Sequence, residues 1–274
     1  MTVERRTIFS AIIPHFSPRI LFLGLFSFLF LTACATEYNL ATNKEEALMY
    51  GTDKEVQIGE SFARSIEKYY ENKIVTDIDI NERVEKILKK IVAVSDRSDL
   101  VYFIKVIDED TMNAVSLPGR YIYVFKGLID KIKSDDQLAG VIAHEVGHIN
   151  AKHSLKRIQA SYGAMLIQVA AATTKARNVS GGLNFALTSL FMENSQQDEF
   201  EADALGVKYM KAAGYNPQEM IKVLEKLRAE QEKAPIRAYT YWRTHPHLTE
   251  RIAAVNTVIS GKMEFRDYIR MIDR

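Results

Sequence analysis

The stretch Ser134-Asp-Asp-Gln-Leu-Ala-Gly-Val-Ile-Ala-His-Glu-Val-Gly-His148 decides the structure of the central part of this chain. Ser134 is followed by two acids and, three positions on, by Gln137. This pattern is typical of a capping box at the start of an α-helix. The sequence therefore predicts a helix that begins at Ser134 and contains the pentapeptide from His144 to His148.

Within that helix, His144 and His148 are suited to bind one ion together. Residues four apart lie about 40° apart around the axis of an α-helix and about one turn apart along it. Zinc fits such a pair because it accepts imidazole and carboxylate ligands and keeps a coordination position open. Glu145 would accept the proton of an attacking water, whose pKa zinc lowers to near neutrality. The pentapeptide thus predicts a hydrolytic zinc site.

A third ligand is needed, and one known pattern for it does not fit. The pattern HExxHxxGxxH would require glycine at 151 and histidine at 154, where this chain has Ala151 and Ser154. If the helix continues, His153 points about 140° away from His148. We therefore expect His153 to be a surface or capping residue.

The other proposal takes the third ligand from the acidic segment Gln196-Gln-Asp-Glu-Phe-Glu-Ala-Asp203. Glu199 and Asp203 are four apart and share a helix face, whereas Glu201 lies about 200° from Glu199 and faces elsewhere. This geometry suits Glu199 as a ligand and Asp203 as the acceptor that fixes the tautomer of a ligand histidine. The spacing alone is equally compatible with a solvated acidic face.

Four segments together resemble the HtpX-type and CaaX-prenyl-protease-type zinc peptidase family. They are the HEVGH pentapeptide, Glu199-Phe-Glu-Ala-Asp203, Asn113-Ala-Val-Ser-Leu-Pro-Gly-Arg-Tyr-Ile-Tyr-Val124 and Thr244-His-Pro-His-Leu-Thr-Glu-Arg-Ile252. They occur in the family's order, and the resemblance runs from about Gly51 to Ser260. Arg120 departs from the pattern, because a second glycine is common there, and it would make the adjoining cleft more polar.

The resemblance implies a role for each matching residue. One zinc ion would be held by His144, His148 and Glu199, with Glu145 as general base and acid. His245 would approach the ion, either to stabilise the tetrahedral intermediate or to plug the zinc as a fourth ligand; a simple cap on the following helix is the alternative. Asp203 would orient a ligand histidine, and Arg251 would be a charge partner behind the ligands. The strand after Pro118 would offer its edge to an extended substrate, and the residues that bind substrate would be Asn113, Ala114, Pro118 and Gly119.

The expected fold is α+β and mostly helical, a gluzincin-type peptidase with one small sheet beside the HEVGH helix. Apolar periodicity and β-branched runs predict the elements. Ala164–Ala172 is strongly apolar but has about half the length needed to span a bilayer, which favours a buried or partner-facing helix. The predicted helices are Lys44–Tyr70, Ile80–Val94, His153–Ala176, Leu183–Phe191, Gln196–Ala213, Pro217–Glu232 and Leu248–Ile259, and the strands are Val101–Ile107 and Tyr121–Phe125.

The N-terminus resembles the export signal of a bacterial lipoprotein. Basic residues precede an apolar run from Ile20 to Leu31, and Leu31-Thr-Ala-Cys34 resembles a lipobox. We therefore expect residues 1–33 to be a signal peptide, Cys34 to carry lipid, and residues 34–274 to form the mature peptidase, with its core at about 51–260. An ordinary cleaved signal peptide or a short anchor, with Cys34 incidental, is the alternative. Ala35 stands where an aspartate would signal inner-membrane retention, so the resemblance favours the outer membrane, facing the periplasm.

Composition narrows the choice of partners. The 36 lysines and arginines nearly balance the 35 aspartates and glutamates, so the charge does not indicate a nucleic-acid partner. With a single cysteine, the chain cannot form an internal disulfide. The chain lacks the long hydrophobic helices of the membrane-spanning branches and resembles the soluble lipoprotein branch with BepA- and LoiP-like proteases. We expect it to cleave misfolded or unassembled envelope proteins, while a non-catalytic chaperone or assembly factor for outer-membrane proteins on the same scaffold is the alternative.

Overall fold

The computed structural model describes residues 35–161, 194–233 and 240–262. The signal peptide, Cys34, the segment Ala164–Ala172, the helix Leu183–Phe191 and the end of the helix that begins at His153 lie outside the described residues. The helices are α1 Thr52–Tyr69, α2 Ile78–Val92, α3 Lys126–Ile129, α4 Asp135–Asn150, α5 Gln196–Ala212, α6 Gln218–Lys233, α7 Tyr241–Thr244 and α8 Leu248–Ile259, and residues 153–161 are also helical. The strands are β1 Ala35–Asn39, β2 Lys44–Leu48, β3 Phe103–Ile107, β4 Ala114–Ser116 and β5 Tyr121–Phe125.

Helix α4 is the centre of the fold. The side chain of Ser134 accepts a hydrogen bond from the backbone N–H of Gln137, as the sequence predicts. Every residue from Gln137 to Asn150 is buried, because α2, α5, α6 and β4 all pack around this helix. A helix enclosed on all sides holds its side chains in fixed rotamers, which suits a site that needs exact distances.

The second helix of the site, α5, begins with a complete capping box. Ser195 accepts from the backbone of Asp198, and the Asp198 carboxylate accepts from the backbone of Ser195. Helix α5 packs directly along α4, and α8 closes over α5 from the C-terminal side. The two predicted helices therefore lie against each other, and the fold is mostly helical with small sheets, as expected.

One sheet has the order β3-β5-β4, with β3 parallel and β4 antiparallel to β5. The strand after Pro118 is β5, which pairs on both sides. The prediction that this strand offers an edge was therefore wrong. Sequence patterns alone do not give strand order. The edge is occupied by β4, which packs against α4 and has only three residues, too few to show an alternating pattern.

The N-terminal prediction was also wrong in part. Lys44–Leu48 is a strand paired antiparallel with β1, and the helix begins only at Thr52. Lys44-Glu-Glu-Ala-Leu48 lacks β-branched residues, so its local preference is helical, but pairing with β1 overrides that preference. The described residues therefore contain a second, two-stranded sheet. No helix among them is long and apolar enough to cross a membrane.

A buried carboxylate ties α1 to the end of α4. Glu55 is fully buried and accepts from both Nη atoms of Arg97, at 3.0 and 2.8 Å, and from the backbone N–H of Gly119 at 3.0 Å. Arg97 also donates to the carbonyl of Ile149, and the ammonium of Lys152 lies 3.9 Å from Glu55. One acid thus stabilises the β4–β5 turn and two basic residues near the end of the HEVGH helix.

Candidate metal centre

Three side chains converge where α4 and α5 face each other. The Nε2 atoms of His144 and His148 are 2.9 Å apart. Glu199 brings Oε2 to 3.5 Å from Nε2 of His144 and Oε1 to 3.3 Å from Nε2 of His148. All three residues are at most 3% exposed. The helices therefore direct two imidazoles and one carboxylate at a single enclosed point.

Two side chains lie at Nδ1 of His144, on the side of the ring away from this point. Oδ1 of Asp203 is 2.8 Å from Nδ1, and Nη2 of Arg251 is 3.3 Å from the same atom. The shorter contact, to a carboxylate oxygen, favours a proton on Nδ1 and leaves the lone pair on Nε2. Asp203 is held in turn by two hydrogen bonds of 2.7 Å from Arg251. Burial lowers the pKa of His144 well below its usual value, and the nearby cationic Arg251 adds to the shift. His144 is therefore a neutral imidazole with a free lone pair.

Glu199 is held in the charged form. Burial alone would raise the pKa of this carboxyl, but Arg251, whose Nη1 lies 2.6 Å from Oε2, holds it well below its usual range. Asn194 donates to Oε1 at 2.6 Å. A buried anion thus faces two buried imidazole nitrogens.

Glu145 lies beside this group without a well-formed hydrogen bond. Its side chain is fully buried, and neither carboxylate oxygen meets a donor in good hydrogen-bond geometry among the described residues. Nε2 of His245 lies 3.4 Å from Oε1. Burial raises the pKa of Glu145, and the nearby His148 and Ser116 hydroxyl offset only part of that shift. Because such a carboxylate is buried and has no well-placed donor, it is suited to accept a proton from a small polar molecule.

His245 completes the group from the C-terminal side. Its ring stacks on Tyr241, with centroids 4.2 Å apart, and Nδ1 lies 2.7 Å from the hydroxyl of Thr244. That hydroxyl donates to the carbonyl of Tyr241, so it accepts from Nδ1, and Nε2 of His245 is left with a lone pair. Burial lowers the pKa of His245 to about 3. Since the N-cap of α8 is His247, His245 does not cap that helix.

The four residues fit a metal ion. Ligand atoms of His144, His148, Glu199 and His245 all lie within 4.8 Å of one another. Tetrahedral ligands at about 2.1 Å from an ion are about 3.4 Å apart, close to the spacing of the first three. Lone pairs that face each other in a buried space repel unless a cation lies between them. The group could therefore hold a metal ion.

His153 is not the surface residue that the helical projection predicts. It is 2% exposed, with one ring nitrogen against His148 and the other against Glu201. The prediction was wrong because α4 ends at Asn150 and Lys152 adopts a positive φ of 57°, so the projection through a continuous helix does not apply. Glu201 does face away from Glu199, as predicted, and it faces His153. A left-handed lysine leaves no reliable signal in a sequence.

The residues predicted to bind substrate occupy two different places. Asn113 precedes β4 and Ala114 lies in it, at the sheet edge. Pro118 and Gly119 form the buried turn against α1, where a Cβ on Gly119, at φ 84°, would meet the Cα of Val56 at 3.0 Å. Arg120 pairs with Glu60 and lies over the rings of Phe103 and Tyr121.

Comparisons with known proteins agree with this geometry. A family model described as peptidase family M48 matches residues 79–259. The chain is 34% identical over 174 residues to the mitochondrial metalloendopeptidase OMA1 of Schizosaccharomyces pombe, covering 63% of this chain and 51% of that protein. It is 30% identical over 234 residues to the protein of that name from Arabidopsis thaliana, covering 81% and 47%.

A bacterial relative is similar over a comparable length. The chain is 23% identical over 235 residues to the β-barrel assembly-enhancing protease of Escherichia coli K12, covering 82% of this chain and 47% of that protein. The chain spans about half the length of the curated relatives it matches. The extent of the family match, together with the converging histidines and glutamate, confirms the resemblance carried by the motifs: the chain belongs to peptidase family M48.

Proposed function

We propose that this protein is a zinc-dependent endopeptidase with one Zn²⁺ per chain. The observation that carries the proposal is the convergence of two imidazoles and one charged carboxylate beside the fully buried Glu145, which has no well-formed hydrogen bond among the described residues. The donor set of two nitrogens and one carboxylate oxygen is the one that catalytic zinc sites use. The names of the relatives, metalloendopeptidase and protease, support the same activity.

In this proposal His144, His148 and Glu199 hold the ion. A zinc ion bound there would supply Lewis acidity and lower the pKa of a water molecule. Glu145 would take the proton of the attacking water at a carboxylate oxygen and deliver it to the leaving amine. Because burial raises the pKa of Glu145, the carboxylate is more basic than an exposed one, as a general base requires.

An extended substrate would bind along the edge of β4. All three residues of this strand are buried in the structure, so the edge would have to open before a substrate could pair with it. This strand packs against α4 and pairs with β5 on one side. A peptide added to such an edge gains backbone hydrogen bonds without a sequence requirement, which suits an enzyme that cleaves unfolded chains. One backbone acceptor of β4 already has a partner, since the carbonyl of Ser116 accepts a hydrogen bond from the hydroxyl of Ser154.

The activity is tested with Glu145→Gln. The variant should bind zinc as the parent does and lose cleavage of casein, because the amide cannot accept a proton. Glu250→Gln, on the exposed face of α8, is the matched control and should cleave normally. Cleavage by the Glu145→Gln protein at the parental rate would refute the mechanism.

A second candidate, a chaperone or assembly factor that binds without cutting, is favoured by His245. Its Nε2 lone pair would make it a fourth ligand for a bound ion, and a closed coordination sphere would leave no place for substrate. A peptidase would need the Tyr241–His245 segment to move away. Complementation of an envelope-stress phenotype by Glu145→Gln would support this candidate, and failure of that variant would support the peptidase.

We further propose a lipid anchor on Cys34 and a periplasmic site at the outer membrane, with misfolded or unassembled envelope proteins as substrates. The lipobox-like sequence and the β-barrel assembly-enhancing relative support this location. The relatives named mitochondrial show that the same domain also occurs in another compartment. Incorporation of a fatty-acid analogue into the parent and its loss in Cys34→Ala is the expected result; no label on the parent would refute the anchor.

A further inference from the structure

His148 has a buried partner that the metal chemistry above leaves unexplained. Nδ1 of His148 lies 2.8 Å from Nδ1 of His153, and Nε2 of His153 lies 2.9 Å from Oε2 of Glu201. All three side chains are less than 10% exposed. They come from the last turn of α4, from the residue after the left-handed Lys152, and from α5. Three separate pieces of chain thus form one line of hydrogen bonds ending at His148.

The protons in this line have a single consistent arrangement. If Nε2 of His148 faces the ion with its lone pair, the ring carries its proton on Nδ1 and donates it to Nδ1 of His153. His153 then carries its own proton on Nε2 and donates it to the carboxylate of Glu201. The reverse order would place a proton on Nε2 of His148, where it would block the lone pair.

We propose that His153, held by Glu201, is a positioning residue that fixes the ring orientation and the metal-binding tautomer of His148. This inference rests on the metal centre proposed above. Helix α5 then contacts both histidine ligands: the Asp203 carboxylate lies 2.8 Å from Nδ1 of His144, whereas Glu201 acts on His148 through the intervening imidazole. Partners of this kind commonly change metal affinity by about 10–100-fold when removed.

Two substitutions of His153 separate this role from simple packing. His153→Phe keeps a ring of similar size but offers no acceptor, whereas His153→Asn is smaller and places Oδ1 near the position of Nδ1. We expect the phenylalanine variant to bind zinc at least about 10-fold more weakly than the parent, and the asparagine variant to recover most of that loss. A packing role predicts the opposite order. Glu201→Gln, which keeps an acceptor for His153, should lose less affinity than Glu201→Leu.

The measurement is zinc affinity by competition with a chromophoric chelator, with melting of the metal-free proteins as the control for folding. Nitrogen NMR of the imidazoles in the zinc-loaded proteins gives the tautomer directly: the Nδ1–H form of His148 in the parent, and loss of a single form in His153→Phe. Parental affinity in the phenylalanine variant, or no advantage of asparagine over phenylalanine, would overturn the inference alone. Failure of the parent to bind zinc would overturn the metal centre as well.

Discussion

Replacing Gly147 by alanine should separate the two helices of the metal centre. A Cβ at this position would lie 2.8 Å from the carbonyl oxygen of Ala202 and 3.1 Å from its Cα. Both atoms belong to the backbone of α5, so no side-chain rotation relieves the contact. Ordinary contact begins at 3.4 Å, so α5 must move by about 0.6 Å, and Glu199, one turn before Ala202, must move with it.

The energetic expectation follows from this displacement. Overpacking a tight interface costs about 1–3 kcal/mol, and the better helix propensity of alanine returns up to about 1 kcal/mol. The free energy of unfolding should therefore fall by about 1 kcal/mol. The shift of Glu199 exceeds the tolerance of about 0.5 Å for a functional site, so zinc affinity should fall about 10-fold.

Urea unfolding of the metal-free protein and zinc competition with a chelator measure the two effects. Gly140→Ala is the matched control, because it lies on the same helix but its Cβ would meet Met220 of α6, at 3.2 Å from Cα, and not α5. It should leave zinc affinity unchanged. If Gly147→Ala binds zinc as tightly as the parent, the close approach of the helices does not set the ligand geometry, and the reasoning fails.

Three further outcomes are expected. Arg251→Leu leaves the buried carboxylates of Glu199 and Asp203 without their cation, so urea unfolding of the metal-free protein should show a loss of about 3–5 kcal/mol, and a loss below about 1 kcal/mol would contradict the ion-pair assignment. Because burial lowers the pKa of His245 from 6.5 to about 3, the unfolded metal-free chain takes up a proton below pH 6.5 that the folded chain does not. The free energy of unfolding should therefore fall by about 2 kcal/mol between pH 7 and pH 5 through this residue alone. In His245→Ala it should depend less steeply on pH than in the parent, and equal slopes would count against burial of a neutral ring. A strong chelator should lower the melting temperature of the zinc-loaded parent but leave that of Glu199→Ala unchanged; a parent that does not respond has no structural dependence on the ion.

The sequence predicts the helices of the site well, because their signals are local. The serine cap at Ser134 marks the start of α4, and the periodicity predicts α5 to within one residue and α8 over its full range Leu248–Ile259. Residue spacing also indicates correctly that Glu199 and Asp203 share a face while Glu201 turns away. Short-range patterns of this kind depend only on the geometry of one helix.

The errors concern pairings between distant parts of the chain. Lys44–Leu48 becomes a strand only because β1 lies beside it, and the position of β5 in the sheet depends on β3 and β4. The burial of His153 depends on the backbone turn at Lys152 and on a partner 48 residues away. The periodicity of the sequence cannot predict these three features, because each depends on which parts of the chain meet in three dimensions.

The bonds of Glu55 bear on where the folding unit begins. The family match starts at residue 79, after α1, so a fragment cut at that boundary would retain all the residues proposed to hold the ion. The fragment would nevertheless lack Glu55, which is the buried counter-charge of Arg97 and Lys152 and the acceptor for the backbone N–H of Gly119. Expression trials designed on homology limits alone would then yield an insoluble or misassembled product, for reasons that lie in the excised helix and not in the chemistry of the centre.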